Sequence, residues 1–139
     1  MTAIHEAGHV LGAMATGGKV NRVVWGLAKL SRTDVYPNPK PKWVAWAGPL
    51  FGAIAPFLLE RLSRRTHAAN LLSLLAGFCL IANGAYLAVG AIYPVGDARD
   101  LLHLGTPRWM LLAVGGPMAV VGFLLWHTIS PQFRMRRGA

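Results

Sequence analysis

Residues 69–93 read ANLLSLLAGFCLIANGAYLAVGAIY. No Asp, Glu, Lys or Arg interrupts the chain between Arg65 and Asp97. As a helix this run would extend about 37 Å, more than the ~30 Å of hydrocarbon in a bilayer, so it reads as a transmembrane span and places the chain in the membrane class. A second charge-free interval, from Arg108 to Arg134, predicts a span over Trp109 to Ile129. Trp43 to Leu59, WVAWAGPLFGAIAPFLL, is shorter but also uncharged. Trp43 and Trp46 stand at one end, where an interfacial aromatic belt sits, and Glu60, Arg61, Arg64 and Arg65 close the other.

Composition agrees with this reading. Of 139 residues 54% are hydrophobic and only 14% charged, whereas soluble domains carry about a quarter charged residues. The net charge of +9 is crowded at the ends of apolar runs, which suits anionic lipid headgroups. A nucleic-acid binder would spread Lys and Arg along an exposed face, so that class is excluded. Arg134, Arg136 and Arg137 read as a headgroup-facing tail. The single cysteine, Cys79, lies inside an apolar run, so no intrachain disulfide forms and the thiol reads as a small packing residue.

The first segment, Met1 to Thr16, would make a helix of only about 24 Å. We expect it to lack its start, with the natural chain beginning upstream, and Gly17-Gly18 to close it. MTAIHEAGHV lacks the basic and apolar regions of a cleaved signal peptide, so insertion is expected to use the internal spans. Between Lys19 and Lys42, VNRVVWGL predicts a short strand or hairpin arm, and YPNPKPK is too proline-rich for regular structure. The expectation is one all-α polytopic membrane domain over 1–139, with about four transmembrane helices and a short strand or hairpin in the 19–42 connection. Loop charges, eight Lys or Arg on one side against six on the other, do not set its orientation.

His5-Glu6-Ala7-Gly8-His9 is an H-E-x-x-H motif. On a helix the four-residue spacing stacks both imidazoles on one face, where two ring nitrogens can grip one Zn²⁺. Glu6, beside the first ligand, can reach water at the metal instead of the metal itself, which suits a general base. Two imidazoles and a carboxylate in an apolar segment are costly unless paired or ligated.

A catalytic zinc takes three protein ligands and keeps one position open. Asp97 is the first choice for the third ligand and Asp100 the second, both in YPVGDARDLLHLG, where Gly96 frees the backbone to turn a carboxylate inward. Glu60 ends its span at the opposite membrane face among arginines. His67, His103 and His127 stand near span ends, with His103 retained as a lesser candidate because it follows Asp97 closely. A straight helix over 69–93 would leave Asp97 at the surface and His5 inside, so the helix must break or tilt, as Gly84, Gly90 and Pro94 permit. Mid-span Asn83 reads as an interhelical hydrogen-bonding residue, and Gly48 with Gly52 as a small-residue packing face. Gly115-Gly116-Pro117 predicts a kink in the last span.

HEAGH on an apolar helix, AGPLFG in the next span, and a proline followed by Gly-Asp after the third together resemble the site-2 protease family of intramembrane zinc metalloproteases. The resemblance covers nearly the whole chain. It implies that His5, His9 and Asp97 hold zinc, that Glu6 activates water, and that transmembrane segments of other proteins are the substrates. The chain departs from the family pattern in three places. Gly52 stands where the family commonly has an asparagine, the nearest asparagine before Pro94 is Asn83, and the aspartate sits in Gly96-Asp97-Ala98 instead of Leu-Asp-Gly.

The expected protein is therefore a multi-pass enzyme of the cell (plasma or inner) membrane, a zinc endopeptidase hydrolysing peptide bonds in or near membrane helices. The alternative is a catalytically inactive scaffold of the same fold that binds membrane helices.

Overall fold

The computed structural model describes residues 1–26 and 31–135, the last seven of these by their backbone only. In chain order it holds α1 (Thr2–Ala15), β1 (Val20–Val24), β2 (Arg32–Val35), α2 (Pro41–Leu62), α3 (Ala69–Gly90), α4 (Gly96–His103) and α5 (Arg108–Met135). Leu27, the end of the expected strand segment, and Arg136 and Arg137 of the tail lie outside the described residues, as does the side chain of Arg134.

Three helices are long and apolar enough to cross a membrane: Pro41–Leu62, Ala69–Gly90 and the first 21 residues of α5, Arg108–Thr128. Helix α1, at 14 residues, is too short to join them, so three long helices stand where about four spans were expected. Large side chains on their outer surfaces are apolar, among them Leu58, Leu71, Phe78, Val120, Phe123 and Leu124. That inverts the pattern of a water-soluble bundle, whose exposed helix faces are polar.

Helix α3 is the centre of the packing, with α5 along one side and α2 along another. Its contact with α5 is made by glycines: a Cβ at Gly84 would stand 2.6 Å from the Gly115 carbonyl oxygen, and one at Gly122 2.7 Å from that of Gly77. Close backbone approach replaces interdigitated large side chains, as in helix pairs that pack without a hydrophobic driving force. Helix α5 continues through Gly115, Gly116 and Pro117.

The 69–93 run does break. Helix α3 ends at Gly90, three residues before Tyr93, and the chain turns through 91–95 into a separate short helix, α4. The sequence reading placed no helix there, although Ala98 and Leu101 supply the i, i+3 apolar pair of one. Both are fully buried against Ala45, Leu87, Ala91 and Leu111, which clamps α4 to α2, α3 and α5.

The 19–42 connection forms a two-stranded antiparallel hairpin pairing Arg22 with Asp34, Val23 with Thr33 and Val24 with Arg32, with an irregularity at Asn21. Asp34 binds Arg22 Nε at 2.7 Å and Arg32 Nε at 3.0 Å. The hydrogen bond from Arg22 is the largest cause holding its carboxyl below the usual range. Lys19 and Tyr36–Pro37 extend the ladder by two backbone hydrogen bonds, so the hairpin emerges directly from the end of α1 and lies over it.

A candidate metal centre joining four elements

Helix α1 carries the first two candidate ligands. Its four-residue spacing brings the His5 and His9 rings to a centroid separation of 4.9 Å. Helix α1 sits close on α2 because Gly8 has no Cβ to meet the Ala47 carbonyl. The His9 ring in turn lies where a side chain at position 48 would otherwise be, since a Cβ on Gly48 would overlap it. The Gly48–Gly52 face is therefore a packing face, and what it packs is the site.

Each imidazole is oriented by a bond on its far side. The Asn83 amide nitrogen donates to the Cys79 carbonyl at 2.9 Å, which turns its oxygen toward His5 Nδ1, 2.8 Å away. His9 Nδ1 lies 2.8 Å from the Val44 carbonyl oxygen. Both acceptors require Nδ1–H, so in the neutral rings both Nε2 atoms carry lone pairs. Those two nitrogens are 3.2 Å apart.

Asp97 closes the triangle. Gly96 begins α4 with φ +48, a conformation that favours glycine, and the buried Ala98 and Leu101 anchor the rest of the turn. Asp97 Oδ2 lies 2.8 Å from His5 Nε2 and Oδ1 3.3 Å from His9 Nε2. Bonds of about 2.0–2.1 Å to a tetrahedral zinc place neighbouring ligand atoms about 3.3 Å apart. The separations, 2.8–3.3 Å with the two Asp97 contacts made by different carboxylate oxygens, are close to that edge, and His5, His9 and Asp97 form the group that could hold a metal ion among the described residues. Two nitrogen lone pairs and a carboxylate converging this closely repel one another unless a cation is shared between them. The donor set and its outward hydrogen bonds thus fit zinc.

Glu6, only 2% exposed, is held by Thr33 of β2, whose hydroxyl donates to Oε2 at 2.6 Å. Among the described residues no donor reaches Oε1. Glu6, His5, Asn83, Tyr86 and Asp97 share the wall of a cavity of about 630 Å³, and a second of about 560 Å³, bounded by His9, Asn38 and His103, meets it at Asp97. Tyr86 contributes its hydroxyl, which accepts the Asp97 backbone N–H at 2.8 Å, while its ring meets the edge of His5 at 5.9 Å.

The other candidates stand apart from this triangle. Asp100 is exposed and lies 3.7 Å from Arg99 Nε. His103 borders the second cavity without joining the ligand atoms, and His67 and His127 are exposed. Glu60, buried at the far end of α2, is held by Ser73, Arg61 and Arg64 at 3.1–3.3 Å. Asn83, expected to hydrogen-bond between helices, does so, and its partner is His5; Thr33 and Tyr86 are additions of the tertiary structure. A lone amide in mid-span was a usable signal for the first, whereas nothing local marks the other two.

No protein-family model, curated protein or solved structure matches this chain.

Proposed function

We propose that this protein is a multi-pass, zinc-dependent endopeptidase of the cell membrane, of the site-2 protease type its motifs resemble, that cleaves transmembrane segments of other proteins. One observation carries the reading. Two imidazoles, each with its Nδ1–H committed outward, aim Nε2 lone pairs at a carboxylate with the spacing of a zinc coordination edge. The buried, singly anchored carboxylate of Glu6 stands beside them.

His5, His9 and Asp97 would hold Zn²⁺, which supplies Lewis acidity toward water and toward the scissile carbonyl. Glu6 takes the proton of the attacking water and returns it to the leaving amide nitrogen. The Thr33 hydroxyl fixes one carboxylate oxygen so that the other is presented to the cavity. An extended peptide is the substrate form, because a helical peptide bond is shielded by its neighbours and its own hydrogen bonds. The membrane helix that is cut must therefore unwind locally. Three long apolar helices support a bilayer-embedded enzyme, with α1 entering as a fourth membrane segment seated on α2.

The test is zinc content per chain in detergent-purified protein together with cleavage of a membrane-helix peptide. Wild type is expected to hold near-stoichiometric zinc and to cleave, and His9→Ala and Asp97→Asn to lose both. Glu6→Gln is expected to keep zinc and lose cleavage. Folded wild type that takes up no supplied zinc overturns the proposal, and zinc uptake with Glu6→Gln indistinguishable from wild type favours an inactive helix-binding scaffold.

A further inference from the structure

Hydrolysis of an amide needs a third service besides the metal and the base. As water adds to the carbonyl carbon, a C–O bond forms and the π electron pair moves onto the carbonyl oxygen. That negative charge would be shared with the metal, and a hydrogen-bond donor already in place stabilises it further. The motif residues offer none: the Nδ1–H groups of His5 and His9 are committed to Asn83 and Val44, and one N–H of the Asn83 amide goes to the Cys79 carbonyl.

Resting on the reading above, we infer that Tyr86 is the oxyanion donor of this site, a catalytic residue whose hydroxyl hydrogen-bonds the carbonyl oxygen of the substrate as it becomes tetrahedral. Tyr86 lines the same 630 Å³ cavity as Glu6, His5 and Asp97. Its hydroxyl oxygen is already pinned, because it accepts the Asp97 backbone N–H at 2.8 Å. Its own proton has no acceptor among the described residues, and with the oxygen fixed that proton is left to the cavity. The N–H it accepts belongs to the first turn of α4, where backbone N–H groups carry partial positive charge, and accepting such a bond strengthens the hydroxyl as a donor. The phenol ring packs near-perpendicular to the His5 ring with centroids 5.9 Å apart, which keeps it beside the cluster.

The step balances without further reactants. Water loses one proton to Glu6 as its oxygen bonds to carbon, and the oxyanion is held by Tyr86, which keeps its proton throughout. The π bond then reforms, the C–N bond breaks, and the amine leaves with the proton from Glu6. Peptide and water become a carboxylic acid and an amine.

The alternative role for Tyr86 is to cap α4 and hold Asp97 in place. Tyr86→Phe separates the two, read out by zinc content, by kcat and KM on a fluorogenic membrane-helix peptide, and by affinity for a phosphinic peptide analogue whose tetrahedral oxygens mimic the oxyanion. Retained zinc, kcat lowered about 10²–10³-fold with KM little changed, and at least tenfold weaker phosphinate binding are expected. Zinc lost from Tyr86→Phe, or zinc kept with kcat and phosphinate affinity unchanged, overturns the inference while wild-type cleavage leaves the proposed function standing. If wild type cleaves no better than Glu6→Gln, the proposed function fails and the inference falls with it.

Discussion

A Cβ on Gly52 would come within 2.9 Å of the Asn83 amide oxygen, the oxygen that accepts the His5 Nδ1–H. Helices α2, α3 and α1 are thereby linked through one short chain of contacts, and the smallest side chain available on α2 makes room for the amide that orients His5 on α1. The room left at Gly52 is taken by an asparagine from the neighbouring helix.

Gly52→Ala is expected to weaken zinc binding without altering a ligand. The added methyl pushes the Asn83 amide, and His5 loses the partner that fixes its tautomer and orientation. Loss of such an outer partner costs about 10–100-fold in metal affinity, so competition with a zinc chelator should show a shift in that range for Asn83→Ala and a smaller one for Gly52→Ala. Unchanged affinity in both would show that His5 is oriented without Asn83.

Asp97→Asn and Asp100→Asn should separate cleanly although they lie within one helical turn. The first removes an anionic ligand from the triangle; the second alters an exposed side chain beside Arg99. Metal analysis is expected to find zinc absent from Asp97→Asn and at the wild-type level in Asp100→Asn. The reverse pattern would mean that α4 is turned by about 60° more than its packing allows, since residues three apart on a helix differ by about that angle.

Leu101→Ala should destabilise the protein and loosen the site together. Leu101 is fully buried in the cluster that clamps α4, and truncations of this kind cost about 2–5 kcal/mol. Unfolding by graded SDS in mixed micelles would measure the loss. Zinc affinity should fall in parallel, because Asp97 is carried on the helix that Leu101 anchors.

Acid should loosen the hairpin before it touches the long helices. Asp34 has its carboxyl held low by Arg22 and Arg32. A lowered folded-state value means that the pairing contributes above the ordinary carboxylate range and is lost as pH falls through the depressed value. The pair is exposed, so its contribution is small and screened by salt. Amide protection at Val23 and Thr33, the exchange rate taken relative to the free-chain rate at the same pH, should fall on acidification at low salt, and Asp34→Asn should show the lower protection already at neutral pH with little further pH response.

The parts of the fold and site that could be read in advance are those set by spacing along one segment. Uninterrupted apolar length picked out the three long helices, because a span is defined by how many consecutive residues avoid charge. The pairing of His5 with His9 followed from the 3.6-residue period, and the early end of the 69–93 helix from glycine, proline and the depth mismatch between His5 and Asp97. The short helix α4 escaped notice because eight residues carry too little periodicity to compete with a loop reading.

The sequence by itself determined that the chain holds helices long and apolar enough to cross a membrane and that two histidines share one helix face, since hydrocarbon thickness and helical period act on local stretches. The tertiary structure alone decided that Asn83, 78 residues from His5, orients its ring, that Thr33 holds Glu6, that Tyr86 stands beside Asp97, and that Asp97 and not Asp100 meets the histidines. Those contacts depend on the rotation and depth at which separate helices pack, and close approach at glycines sets both.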